Sequence, residues 1–515
     1  MEIFARFRAL AAAALLVAAC SGGGGGSSSP PPTTTPPPTG LFTDSVTYSS
    51  AANASLPTAA EITSVTHHQI TINGTVLNYT ATVGHMSALS ASQAPEASFF
   101  YVAYTLDGAA PATRPVTFFY NGGPGSATVW LHLGSFGPKR IDTGEPNMSG
   151  VPPYPLVDNA ESMLDISDLV FVDAVGTGFS QAIAPFTNSS FWGVDADAAV
   201  FRDFVMRYAT VNNRGTSPKF LYGESYGGPR TAVLADLLEA AGVHLKGVVL
   251  QSPALNYNSN CGILDIVLSC TSYIPSYGAV GSWFGFSNPS ASVAQLPAFM
   301  AEARTFVGGQ YEPSIQAWLN TGALPPDDQI TRVANISGLG RQHWVANPNR
   351  NPEYYRLNLN PGTLYGRYDG RVSIPNTFPP NQAPDPSSTL ISASFSQRLV
   401  QHLTALGYTT PSSYTMLGNA IQIWNFHHDG RDLPDTVPDL ASALTQNPQL
   451  KVLAVNGYHD TVTPFHTTEL DLARITSANV GVRNYVGGHM TYLENSSRRA
   501  MKADLAAFYG SALAN

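Results

Sequence analysis

Short apolar runs bounded by glycine, proline or asparagine recur along this chain, and their lengths are those of strands rather than helices. Residues 116–120, 168–173, 218–222, 246–251, 451–456 and 480–486 each read as a buried strand, and several are separated by segments long enough for a helix. Continuous apolar runs suit strands covered on both faces, and their alternation with helices predicts an α/β fold with a mostly parallel central sheet. An antiparallel start precedes them: Ile70-Thr-Ile-Asn73-Gly74-Thr-Val-Leu carries the Asn-Gly turn of a hairpin between alternating residues, and residues 98–106 read as a further strand. Between Ser252 and about Gln446 this rhythm breaks down. That stretch is rich in Pro, Asn, Tyr and Trp, including Trp283, Trp318, Trp344, Tyr354, Tyr355 and Trp424. It reads as an inserted cap whose aromatic residues chiefly build its own core, with a substrate cleft as the other place for them.

The strand at 218–222 runs into Gly223-Glu224-Ser225-Tyr226-Gly227, and an apolar set at helical spacing follows over residues 230–241. A glycine on each side of Ser225 permits a sharp strand-to-helix turn that exposes the hydroxyl. Pro229 falls near the first helical turn, where its missing N–H is not needed. A serine hydroxyl is a weak nucleophile unless an imidazole accepts its proton and a carboxylate orients that imidazole. In the α/β-hydrolase arrangement the chain order is Ser, Asp, His, and the C-terminal part supplies both partners. The strand at 451–456 opens into Gly457-Tyr458-His459-Asp460, and the strand at 480–486 into Gly487-Gly488-His489-Met490. Asp460 and His489 are therefore the expected acid and base.

Other candidates exist among the 12 histidines. His427 and His428 beside Asp429 could form a structural pair, a substrate-facing pair or a weak metal site, but no third ligand at zinc spacing is near and no metal is expected. His459 and His466 are nearer rivals for the base, though neither follows a strand into a glycine pair, and Asp429 rivals Asp460. A fourth piece is the strand at 116–120 followed by Asn121-Gly122-Gly123-Pro124-Gly125. Acyl transfer needs N–H donors aimed at a developing oxyanion, and glycines let backbone approach closely. Gly123 and Tyr226 are the expected donors. A phosphate-binding loop is the rival, but neither GxGxxG with a downstream acid nor Gly-Lys-Ser/Thr occurs there. No cofactor is expected.

Asn121-Gly-Gly-Pro-Gly-Ser126, Asp173-Ala-Val-Gly-Thr-Gly-Phe-Ser180, Gly223-Glu-Ser-Tyr-Gly-Gly228 and Gly487-Gly-His-Met490 together resemble the serine carboxypeptidases, over roughly residues 100–260 and 450–492. The resemblance implies an α/β-hydrolase fold, a Ser225, Asp460, His489 triad, an oxyanion hole from Gly123 and Tyr226, and binding of the substrate's terminal carboxylate by Asn121, Gly122 and Glu224. A carboxylate facing a carboxylate is repulsive unless one is protonated, so recognition by Glu224 implies a preference for acidic pH. Alternatively Glu224 only stabilises the positive end of the following helix. Two departures stand out. The family's second glutamate, paired with the one beside the nucleophile, falls by ungapped count on Ser135, and its Gly-Pro-Gly-Cys cysteine is Ser126 here.

Composition agrees with a large enzyme: 515 residues, 43% hydrophobic and 12% charged, with a net charge of -9 and no Lys/Arg cluster to neutralise nucleic-acid phosphates. Arg6 and Arg8 precede an alanine- and leucine-rich run ending at Val17-Ala18-Ala19-Cys20, which resembles a bacterial lipobox and implies lipid attachment at Cys20, an ordinary signal peptide being the alternative. Residues 1–20 then form the leader and 21–40 a Gly/Ser/Pro/Thr tether. The hydrolase core is expected over 41–255 and 447–515, with the cap over 256–446. Cys261 and Cys270, an even pair in an exported chain, are expected to form a disulfide, or else to stay reduced and buried. The expected protein is an exported lipoprotein, facing the periplasm or attached to the outer membrane, that touches the membrane only through its anchor. The resemblance to the serine carboxypeptidases, not the composition, implies that it acts on peptides as a serine-type carboxypeptidase. An esterase or acyltransferase using the same triad, and a binding lipoprotein with idle chemistry, are the alternatives.

Overall fold

The Asn73-Gly74 turn, with both residues at positive φ (50° and 77°), joins the first two strands of the main sheet. In the computed structural model, which describes residues 42–58, 61–144, 151–262, 268–379 and 382–514, that sheet has ten strands. The leader, Cys20 and the tether lie outside the described residues. Three antiparallel strands come first, β1 (Thr63–Ile72), β2 (Thr75–Leu89) and β3 (Pro95–Leu106). The parallel strands are β4 (Val116–Tyr120), β5 (Asp168–Val172), β6 (Lys219–Glu224), β7 (Leu245–Gln251), β8 (Lys451–Gly457) and β9 (Val480–Tyr485). Their order across the sheet is β9-β8-β7-β6-β4-β5-β3-β2-β1, and a two-residue strand, Gln181–Ala182, adds to β3. This is the mostly parallel α/β-hydrolase sheet expected from the apolar runs.

Alternation along each strand sends neighbours to opposite faces. Phe119 stacks between Phe171 and Tyr222 (4.7 and 4.9 Å) on one face, whereas Phe118 meets Tyr208 (5.4 Å) on the other. Helix α1 (Val194–Val211) and helix α2 (Gly227–Ala240) cover this second face through buried Phe201, Phe204, Leu234 and Leu238.

The segment between β7 and β8 divides into three parts. Its first part carries its own core, in which Tyr273, Tyr277, Trp344 and Tyr355 are buried around the Cys261–Cys270 disulfide. Helix α3 (Pro386–Ala405) instead returns to the sheet, where Ile391, Phe395, Leu399 and Leu403 join the Phe119 side of the core. Helix α4 (Val437–Gln446) does the same on the other face: Leu440, Ala443 and Leu444 pack with residues of α2. The last stretch assigned to the cap over 256–446 thus belongs to the hydrolase core, because an amphipathic helix reads the same whichever body buries it. Trp424 also leaves the cap core, since its ring packs edge-on against Tyr226 at 5.1 Å.

Candidate active site

Because β4 to β9 run in parallel, the loops after β4, β6, β8 and β9 open at one edge of the sheet, where ligands bind in such folds. Ser225 follows β6 directly and adopts φ 62°, an unfavourable left-handed conformation held from both sides. Its N–H donates to Gln251 O at 2.9 Å and its carbonyl accepts from Gly228 N at 2.8 Å. Gly223 and Gly228 near it are sterically required. A Cβ at Gly223 would lie 2.2 Å from Gly227 O, and one at Gly228 would lie 2.5 Å from Pro253 Cβ. Arg230, fully buried beneath the turn, donates to Asp197 at 2.6 Å and to Asn121 O at 2.6 Å, and so ties α2 to α1 and to the loop after β4.

Asp460 and His489 meet. His489 Nδ1 lies 2.8 Å from Asp460 Oδ2, with both side chains buried. Asp460 Oδ1 accepts from Val462 N and Thr463 N (2.8 and 3.1 Å), while Thr463 Oγ1 donates to Oδ2 at 2.8 Å. Burial alone would lower the His489 imidazole, but the Asp460 carboxylate against Nδ1 outweighs it and the net shift is upward. The His489 backbone is clamped as well: its N–H donates to Tyr368 O, and its carbonyl accepts from Ser252 Oγ at 2.8 Å and Gln251 Nε2 at 3.0 Å. Tyr368 also sets its ring edge-on to the imidazole, 5.2 Å between centroids.

Ser225 and His489 line one cavity of about 520 Å³, together with Asn121, Gly122, Gly123 and Glu224. The two side chains share no hydrogen bond among the described residues, and such contacts commonly tighten only when substrate binds. Trp130, Tyr414, Met416, Leu417 and Met490 form its apolar wall, and one face of α3 presents Ser388, Ser392 and Ser396 to it. The Gly123 and Tyr226 amides have no acceptor among the described residues, and the Gly122 Cα runs so close that a Cβ there would lie 2.4 Å from Tyr226 N. Gly123 takes φ 102°, open to glycine alone. Glu224 is buried beside Ser225. Its Oε1 accepts from Asn121 Nδ2 at 2.9 Å and its Oε2 from Tyr492 Oη at 2.7 Å. Burial raises its carboxyl to about 7, against the lowering by His489, Tyr492 and Asn121.

The rival residues lie elsewhere. His428 is clamped between Asp195 (2.6 Å) and Asp439 (3.0 Å), a bond to Asp439 raising it to about 9, so it ties α1 to α4. Asp429 is exposed on a turn. His459 is buried outside the cavity and held down to about 3 by burial, and His466 pairs with Glu469 at 2.9 Å. Ser135 is fully buried with its hydroxyl on Leu131 O at 2.6 Å. Among the described residues, no group of three His, Cys, Asp or Glu is placed to hold a metal ion.

Comparison with known proteins follows the same outline. The family model described as serine carboxypeptidase matches residues 73–264, which include the loop after β4, the Asp173 segment and the elbow. Serine carboxypeptidase-like 33 of Arabidopsis thaliana is 27% identical over 204 residues, 36% of this chain and 40% of that protein. Pheromone-processing carboxypeptidase KEX1 of Candida tropicalis is 30% identical over 136 residues, 26% of this chain and 17% of that protein. The chain thus spans less than half the length of either curated relative. A crystal structure of the prohormone-processing carboxypeptidase Kex1 of Saccharomyces cerevisiae superposes with a TM-score of 0.53 at 14% identity, over 84% of this chain and 91% of that one, a likeness of fold.

No sequence motif marks Tyr368, Thr463, Gln251, Ser252 or Tyr492. Thr463 was the most accessible, three residues after Asp460, but hydroxyl side chains near an acid are too common to single out. Tyr368 and Tyr492 carry no local signal at all.

Proposed function

We propose that this protein is a serine carboxypeptidase that releases C-terminal residues from peptides through an acyl-enzyme intermediate. In this reading His489 takes the proton of Ser225 as its oxygen attacks the scissile carbonyl, and Asp460 holds the imidazole with Nε2 unprotonated and stabilises the imidazolium. The Gly123 and Tyr226 amides receive the oxyanion. His489 then protonates the departing amino acid, and water repeats the sequence to release the acyl group.

The observation that carries the peptide-terminus part is the buried Glu224–Asn121 pair beside Ser225, an acid raised to about 7 at the edge of the same cavity. A protonated Glu224 can donate to a substrate carboxylate, whereas an ester or internal amide gives it nothing comparable to bind. The test compares a blocked dipeptide bearing a free C-terminus with its amidated form and with a simple ester. Preferential cleavage of the free acid, together with fluorophosphonate labelling lost in Ser225→Ala, is expected. Equal turnover of all three would favour an esterase or acyltransferase, and absence of labelling would favour idle chemistry. On the lipobox alone, the catalytic domain is inferred to stand outside the cytoplasm on a lipid anchor at Cys20. Incorporation of labelled fatty acid, abolished by Cys20→Ala, tests that.

A further inference from the structure

Tyr492 lies outside every motif, yet it is the second hydrogen-bond partner of the acid beside the nucleophile. Its side chain is fully buried, its Oη is 2.7 Å from Glu224 Oε2, and it reaches across 268 residues of sequence to do so. Room for the ring exists because residue 134 is glycine: a Cβ there would lie 2.7 Å from Tyr492 Cε2. Ser135, the next residue, turns its hydroxyl back onto Leu131 O and does not touch Glu224.

We propose that Tyr492 is the positioning residue for Glu224: its phenol holds Oε2 while Asn121 holds Oε1, so that Glu224 serves the substrate's carboxylate as a single acid fixed between two neutral donors. This rests on the reading of Glu224 as the carboxylate-binding group. Each donor occupies one lone-pair site, and each oxygen retains a second site for a proton or a ligand. The other groups facing Glu224 are Tyr222 on its own strand, His489, Asp460 and Tyr368. Of these, the His489 charge favours the carboxylate and the Asp460 charge opposes it. Tyr492 acts in the same direction as His489, because a donor bonded to the ionised form stabilises it. A second acid in its place would do the opposite.

The experiment titrates Glu224 directly by carbon NMR of glutamate-labelled protein, assigned by loss of the signal in Glu224→Gln. Tyr492→Phe removes one oxygen and should raise the midpoint by about one pH unit, the scale of one charge-assisted hydrogen bond. Gly134→Ala, which crowds the ring while keeping its hydroxyl, should move the midpoint the same way, and Ser135→Ala should leave it in place. An unmoved midpoint in both Tyr492→Phe and Gly134→Ala, or an equal shift in Ser135→Ala, overturns the proposal. In parallel, KM for the free-acid dipeptide should begin its rise at higher pH in Tyr492→Phe, with the amidated dipeptide unaffected. A midpoint that moves while free acid and amide stay indistinguishable would leave Tyr492 as the residue that holds Glu224 and would refute carboxylate recognition instead.

Discussion

Asp460→Asn probes the catalytic geometry most sharply, because the surroundings dictate which way the new amide must point. Oδ1 of Asp460 accepts two backbone N–H groups, from Val462 and Thr463, so the amide oxygen is held there. Reversing it would set NH2 against both donors and leave them unpaired, at about 1–3 kcal/mol each. The NH2 group therefore takes the Oδ2 position, between Thr463 Oγ1 (2.8 Å) and His489 Nδ1 (2.8 Å). Thr463 can accept one hydrogen while donating to Ser252 O at 2.9 Å, and Nδ1 must accept the other. The proton of the neutral imidazole then sits on Nε2, the atom that should receive the serine proton. The substitution is locally well satisfied and catalytically wrong.

From the loss of the correct tautomer and of the charge opposite the imidazolium, kcat should fall about 10³–10⁴-fold, equivalent to about 4–5.5 kcal/mol of barrier. The acidic limb of the rate profile should also move to lower pH. Burial, which lowers His489, remains when the Asp460 charge is gone, and Asp460 is the foremost of the groups that raise it, ahead of Glu224 and Asp385. Steady-state turnover of a blocked dipeptide from pH 4 to 9 measures both, with fluorophosphonate labelling as a second reading of Ser225 reactivity. Activity within about tenfold of the parent in a folded variant would refute the tautomer argument.

Other expectations follow from the same geometry. Ser225→Ala should abolish turnover by orders of magnitude while circular dichroism and the thermal midpoint stay unchanged. Glu224→Gln should flatten the pH dependence of KM for free-acid substrates: the parent loses affinity as pH rises through about 7 and Glu224 ionises, whereas the amide has no proton to lose. Gly223→Ala should destabilise by about 1–3 kcal/mol or more in chemical denaturation, since its Cβ would fall 2.2 Å from Gly227 O. Asp173 is pushed up to about 7 by burial, above its ordinary value of 3.8, so its contribution to stability is complete below that value and is lost as pH rises toward 7. Asp173→Asn should remove this component from a plot of unfolding free energy against pH.

The parts of this protein that read directly from sequence are those governed by near neighbours along the chain. Alternation and length marked β4 to β9, the Asn73-Gly74 turn marked the first hairpin, and Gly223 and Gly227 around Ser225 announced a sharp bend, at which a side chain on Gly223 would clash. Asp460 and His489 were legible because each follows a strand whose direction sets the edge on which its loop must open. Packing alone decided the rest. Helices α3 and α4 could as well have covered a cap as the sheet, since amphipathic spacing names a buried face without naming its partner. Tyr492 reaches Glu224, and Tyr368 reaches His489, over separations at which spacing carries no information. Local stereochemistry is written in consecutive residues, whereas which distant groups share a hydrogen bond depends on how whole elements settle against one another.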